Sequence, residues 1–196
     1  MLISFTGAQS TGKSTLLKEM YNDSTFRKCS FIREVTRKVA RENFKINEEG
    51  NNITQLFILN EHLHNHFLNG CVFLDRCILD GFIYTKYLND IGKVDSWVLD
   101  YSVKLLSILI DKLDIIFYTD PADVPIVDDN VRSVNVDFRN SIIEEYNKLL
   151  FYDEEYLTLN ADISNDLVQK IRKKIIVLTG SVADRYKVIL DTFQIL

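Results

Sequence analysis

Two prolines, Pro121 and Pro125, and seven glycines leave little chain-breaking material in 196 residues. Neither a low-complexity linker nor an internal repeat has the composition to form, so one compact unit is expected. Cysteine is equally scarce. Cys29, Cys71 and Cys77 are an odd set without a C-x-x-C pair, which predicts reduced, mostly buried thiols and neither a disulfide framework nor a structural zinc. No run approaches the 18 or so consecutive apolar residues of a membrane-spanning helix. The opening MLISFTGAQSTGK lacks the basic and long apolar regions of a signal peptide, so a cytoplasmic location is expected. A basic excess is missing too: 23 Lys and Arg against 28 Asp and Glu give a net charge of −5. That excludes a protein whose main business is coating nucleic-acid phosphates.

What is present is a globular composition, 46% hydrophobic and 26% charged, in a length that suits one domain. Short apolar runs at 2–6, 29–34, 71–75, 115–119 and 175–179 read as strands. Segments with helical spacing at 13–22, 35–43, 52–68, 80–89, 95–112, 137–151, 164–173 and 182–193 lie between and after them. Alternation of this kind predicts an α/β fold with a five-stranded parallel sheet flanked by helices. Residues 120–166 are acidic, and the bland reading is a solvated face. Residues 27–45 carry Arg27, Lys28, Arg33, Arg37, Lys38, Arg41 and Lys45, a solvated face or the seat of an anionic substrate.

The strongest motif is Gly7-Ala8-Gln9-Ser10-Thr11-Gly12-Lys13-Ser14, which fits G-x-x-x-x-G-K-[ST] between a strand and a helix. Glycines let the backbone curl so that several N–H groups face one anion, and the helix N-terminus adds partial positive charge. ATP is the expected ligand: Lys13 would reach its β and γ phosphates and Ser14 would ligate Mg²⁺, with Thr15 the weaker metal candidate. Such a loop serves kinases, GTPases and motor ATPases alike, so other residues must choose the reaction.

Four further stretches bear on that choice. VFLDRCILDGFIY places Asp75 and Arg76 at the end of a strand expected beside the first, where Asp75 could hold Mg²⁺ or simply cap the next helix. SFIREVTRKVA puts Glu34 at a strand end between Arg33 and Arg37, either as a base or in an ion pair. VDDNVRSVNVDFR carries Arg132 and Arg139 in a polar segment, about 123–139, suited to a lid over the transferring phosphoryl group or to surface ion pairs. LTGSVADRY makes a turn at Gly180 and Ser181 before Arg185, with Ser181 a helix cap or the turn an adenine contact. Gln55, with Asn52, opens the helix at 52–68 as a base or ribose contact or as a cap.

The Asp-Arg stretch resembles that of the thymidylate kinases, and GAQSTGKST, FIREVTR, NNITQLFILNEH, FLDRCILDG, VDDNVRS and VLTGSVADR together resemble the small P-loop kinases related to the ribosylnicotinamide kinase domain, including ATPase/kinase-like proteins of bacteriophages. The resemblance spans nearly the full chain, with 152–172 as an insertion. It implies a P-loop kinase with ATP and Mg²⁺ as cofactors, acting in a cytoplasm, the host's if the chain is phage-encoded. Similarity to deoxynucleoside kinases implies that Glu34 accepts the proton of the attacking hydroxyl. Arg33, Arg37, Gln55, Arg76 and Arg139 would then hold the acceptor, and Gly180, Ser181 and Arg185 the adenine, with Arg185 stacked on its face.

His62 and His66 share a helix face at i, i+4, but without a third ligand a metal is not expected. The leading function is transfer of phosphoryl from Mg²⁺-ATP to a hydroxyl of a nucleoside, nucleotide or related sugar. A kinase acting on the 5′ end or a modified base of DNA or RNA is the first alternative, and a nucleotide-switched binding protein is the second. The sequence leaves the oligomeric state open.

Overall fold

The computed structural model describes residues 1–122, 135–152 and 163–195. Five strands, β1 (Leu2–Thr6), β2 (Cys29–Ile32), β3 (Cys71–Asp75), β4 (Ile115–Thr119) and β5 (Ile175–Leu178), form one sheet in the order β2-β3-β1-β4-β5. Every pairing is parallel. Among the described residues eight α-helices surround it: α1 (Lys13–Asn22), α2 (Val35–Arg41), α3 (Asn52–Asn65), α4 (Ile78–Asp90), α5 (Ser96–Leu109), α6 (Val136–Phe151), α7 (Asn165–Lys174) and α8 (Val182–Ile195). This is the P-loop kinase fold.

Helices cover both faces of the sheet, so its strands alternate between two apolar layers rather than between core and water. Leu2, Val72, Leu74, Ile116 and Tyr118 face the larger layer, packed under α3 to α7. Ile3, Phe5, Phe73, Ile115 and Phe117 face the smaller one, under α1 and α8. There Phe73 stacks on Phe31 with centroids 5.2 Å apart and meets Phe26 edge-on at 5.5 Å. The flanking strands β2 and β5 are only partly covered, whereas β1 and β4 are buried throughout.

The sequence-expected elements all form, with shifted ends that have local causes. Strand β2 stops at Ile32, so Arg33 and Glu34 lie beyond the ladder. Helix α3 ends at Asn65, with His66 as its cap, before the turn at Gly70 with φ 92°. Helix α4 begins at Ile78 because the Asp80 carboxylate accepts from the Cys77 N–H at 3.0 Å, closing a capping box. In the stretch 152–172, residues 153–162 lie outside the described residues, while Leu167, Val168 and Ile171 of α7 are buried in the larger layer.

One expectation is corrected. The chain pairs Cys29 with Cys71 in a disulfide, leaving only Cys77 free and buried. The two lie 42 positions apart, but the β2–β3 register sets them opposite each other with Cα atoms 4.6 Å apart, within disulfide range. No helix among the described residues is long and apolar enough to cross a membrane.

Helix α5 offers a direct check on where the core lies. Leu106→Ala, at a fully buried site, should lower unfolding free energy by about 2–5 kcal/mol. Ile108→Ala, two residues on and 62% exposed, should stay within about 0.5 kcal/mol. Urea unfolding of both variants measures the difference, and equal losses would misplace the α5 face.

Candidate active site

In open α/β sheets ligands bind beyond the carboxyl ends of the strands, and there the chain gathers its unusual backbone. Gly7 has φ 129°, and a Cβ on it would lie 2.9 Å from the Thr119 carbonyl, so only glycine lets the loop leave β1 against β4. Gly12, at φ 89°, is the N-cap of α1 and aims the helix N-terminus into the loop. Ser10 also has positive φ, 57°. Lys13 is buried and folds back on the loop, its Nζ donating to the Gly7 and Ala8 carbonyls at 2.8 and 2.6 Å and to Thr11 Oγ1 at 3.1 Å. Burial, with the nearby Arg76 charge, brings its pKa down to about 7. Phosphate oxygens in place of those carbonyls would favour its charged form.

Three arginines hold the outside of the same loop. Arg76 Nη1 donates to the Gly7 carbonyl at 3.0 Å, Arg139 Nε to the Gln9 carbonyl at 3.3 Å, and Arg185 Nη1 to the Thr11 carbonyl at 2.9 Å. Arg185 also donates to the carbonyls of Gly180 and Asp120 at 3.0 Å each. It is 3% exposed, a buried clasp between loop, β4 and the last turn. Ser181 caps α8 by accepting from Asp184 N–H at 3.2 Å, beside Gly180 at φ 79°. Thr15 is exposed on α1.

Ser14 Oγ donates to Asp75 Oδ2 at 2.9 Å. The other oxygen, Asp75 Oδ1, is buried without a hydrogen-bond partner among the described residues. Burial and the Glu34 charge raise the Asp75 pKa. Asp75 does not cap α4, whose N-cap is Cys77. A hydroxyl and a buried carboxylate with an unanswered oxygen fit a divalent cation or a water bound to it.

Glu34 lies across this edge, 6% exposed. Its Oε1 accepts from Arg76 Nε at 2.7 Å, and Oε2 lies 3.5 Å from Arg37 Nε. The ion pair with Arg37 therefore exists and is longer than the contact with Arg76. Arg76, at φ 77°, also donates to Asp80 Oδ1 at 2.8 Å and lies 5.1 Å from the Tyr84 ring centre. Burial opposes its charge, but Tyr84, Glu34 and Asp80 outweigh that and raise its pKa well above the usual value. Asp80 and Tyr84 were not among the sequence candidates. Their signal was the i, i+4 spacing of Asp80 and Tyr84 on α4, with Arg76 just ahead of its N-cap. Asp80 further accepts from Thr6 Oγ1 and Tyr146 Oη, each at 2.9 Å.

Two recesses meet at Glu34. One is a narrow cleft lined by Gln55, His62, Arg76, Gly81 and Tyr84. In it Gln55 Oε1 accepts from Thr85 Oγ1 at 3.1 Å, and Tyr84 Oη donates to Gln9 Oε1 at 3.2 Å. Asn52 instead bonds Asp95, tying α3 to α5. The other is an open groove of about 550 Å³ that reaches Ser14 and Asp75 and includes Arg33 and Arg37. Arg132 and most of the expected lid lie outside the described residues. The described residues contain no group of three or more metal-ligating side chains, and His62 and His66 are both buried in α3.

The chain belongs to the family described as AAA domain, whose model matches residues 2–185. Among solved structures, deoxyadenosine kinase from M. mycoides, with products dcmp and a flexible dcdp bound, superposes with TM-score 0.65 at 16% identity, covering 99% of this chain and 98% of that one. NadR protein in complex with NR superposes with TM-score 0.65 at 19% identity, and NadR in complex with NAD and AMP-PNP with TM-score 0.61 at 17%. This chain spans 50% and 47% of those two NadR chains while 98% and 97% of it is covered. At these identities the likeness concerns the fold. No curated protein matches the chain in sequence.

The buried histidines have a measurable signature. Burial lowers the pKa of His62 to about 3 and of His66 to about 4, against about 6.5 unfolded. The unfolded chain therefore takes up protons below pH 6.5 that the folded chain refuses, and stability falls as pH falls. Each histidine can contribute a slope approaching 1.4 kcal/mol per pH unit. His62→Gln should remove about half of that combined slope between pH 6.5 and 5 in urea titrations. An unchanged slope would place His62 in water.

Proposed function

We propose that the chain transfers the γ-phosphoryl group of ATP to a hydroxyl of a nucleoside-type acceptor, with Glu34 taking the hydroxyl proton. The observation that carries this reading is the position of Glu34, between the cleft of Gln55 and Tyr84 and the Ser14–Asp75 edge of the phosphate loop. A switch protein needs no carboxylate where an acceptor hydroxyl would meet a phosphate.

In the reaction the acceptor oxygen forms a bond to the γ-phosphorus, the bond to the β,γ-bridging oxygen breaks, ADP leaves, and the proton goes to the Glu34 carboxylate. Lys13 and the loop N–H groups hold the phosphates, Gln55 and Tyr84 orient the acceptor, and Arg76 keeps the Glu34 carboxylate in place. Mg²⁺, held by Ser14 and Asp75, would neutralise phosphate charge. Because such transfers are loose and gain mainly from positioning and charge stabilisation, geometry carries more of the rate than the base does.

The experiment is ATP consumption measured against nucleosides, nucleoside monophosphates and ribosylated bases. Glu34→Gln should lower turnover by about 10²- to 10⁴-fold, nearer the low end, with ATP binding little changed. Asp75→Asn should instead raise the Mg²⁺ concentration needed and be partly relieved by excess. If Asp75→Asn loses turnover at saturating Mg²⁺ while Glu34→Gln keeps it, the base is Asp75.

Lys13→Ala should abolish ATP binding while circular dichroism stays that of the folded protein, because Lys13 serves the loop rather than the apolar layers. Loss of fold and binding together would make the Lys13 contacts to Gly7 and Ala8 structural.

A further inference from the structure

The open groove has a charge pattern that a plain nucleoside does not explain. Its floor is carbon from Leu17, Phe31 and Ile32, and its walls carry Lys18, Arg33, Arg37 and Arg41. The carboxylates that line it, Glu34 and Asp75, both lie at its reacting end. Glu34 is engaged by Arg76 and Arg37, and Asp75 by Ser14. Lys18, Arg33 and Arg41 are exposed and have no carboxylate partner among the described residues.

Several other cations of the same acidic chain are paired. Lys38, on α2 with Arg37 and Arg41 but not lining the groove, pairs with Glu61 at 2.6 Å. Lys86, Lys148 and Lys170 pair with Asp90, Glu145 and Asp111 at 2.8, 2.7 and 3.0 Å. Cations left unneutralised around one recess, in a chain of net charge −5, concentrate positive potential in that recess. Tyr21, 73% exposed, lies edge-on to Phe31 at 5.8 Å and adds an aromatic face to the wall.

We propose that this groove binds phosphate already carried by the acceptor, so that the substrate is a phosphorylated nucleoside or the 5′-hydroxyl end of a nucleic-acid strand. The terminal nucleoside lies against the mouth of the narrow cleft at Gln55 and Tyr84, and its 3′-phosphate follows the groove past Arg33 and Arg37 toward Arg41 and Lys18. A volume of about 550 Å³ is that of a small-molecule site and holds more than one phosphate. The inference rests on the kinase reading for the identity of the hydroxyl, but the groove can be tested without turnover.

The test measures anisotropy of a mixed-sequence hexanucleotide with a free 5′-hydroxyl and a 3′ fluorophore, between 50 and 300 mM salt. Nucleoside 3′-monophosphates and plain nucleosides serve as competitors. In the Lys18→Gln/Arg41→Gln double variant the Kd should rise at least tenfold. The slope of log affinity against log salt should fall by about 1.4, at about 0.7 per cation for a single strand. Lys38→Gln, outside the groove, should change neither. Competition by 3′-monophosphates as strong as by unlabelled strand identifies a free nucleotide as the source, and competition by strand alone identifies a chain end. No hexanucleotide binding, or equal affinity and slope in wild type and double variant, overturns the groove. If binding behaves as expected but no acceptor stimulates ATP consumption, the kinase reading fails and the groove stands. If plain nucleosides are phosphorylated as efficiently as phosphorylated ones, the groove inference fails and the kinase reading stands.

Discussion

The buried guanidinium of Arg76 is the constraint from which the rest of the site follows. A charge taken out of water is costly unless it is paired and hydrogen-bonded, and Arg76, 6% exposed, is answered by Glu34, Asp80 and the Gly7 carbonyl. These partners come from three places: the exit of β2, the N-terminal turn of α4 and the exit of β1. Fixing one group against all three sets the separation of strands β2, β3 and β1 at their carboxyl ends. The backbone conforms to this demand. Arg76 takes φ 77°, unusual for a residue with a side chain, while its N–H still donates to the Phe5 carbonyl at 2.9 Å.

The phosphate loop extends the same logic. Carbonyls of Gly7, Gln9 and Thr11 are each held from outside by a different arginine, Arg76, Arg139 and Arg185. In a trans peptide the N–H of the next residue points opposite to the carbonyl. The N–H groups of Ala8, Ser10 and Gly12 are thereby turned away from the guanidiniums, the arrangement an anion needs. Arg185 comes from the last helix and Arg139 from α6, so the loop's shape depends on elements far along the chain as well as on its glycines.

The parts legible in the sequence were those with a local cause. Apolar runs such as LISFT and IIFYT announced strands covered on both faces, and the glycine spacing around Lys13 announced the loop. What stayed hidden depended on which strands lie side by side. Cys29 and Cys71 look unrelated until the β2–β3 register faces them. Tyr146 reaches Thr6 Oγ1 at 2.9 Å across 140 positions, and nothing around either residue signals it. Arg185 could be placed beside the loop from its turn, but not its partners, because the carbonyls that converge on it come from three separate segments.

The division of labour between the two carboxylates follows from their neighbours. Glu34 lies between guanidiniums, hydrogen-bonded by Arg76 and ion-paired with Arg37, which fix its direction and leave it on the border of cleft and groove. Asp75 instead has a serine hydroxyl on one oxygen and, among the described residues, no partner on the other. A buried, partly unanswered carboxylate is destabilising alone and becomes favourable when a cation arrives. Lys13 makes the complementary argument: bonded to its own loop, with its pKa brought down to about 7, it exchanges carbonyl partners for phosphate oxygens at little structural cost. Asp75 keeps an unanswered oxygen and the Lys13 charge hydrogen-bonds only neutral oxygens, so one wants positive charge and the other negative. A metal–polyphosphate pair would answer both at once, so under the proposed phosphotransfer the nucleotide would lie at this edge and the hydroxyl to be phosphorylated beside Glu34.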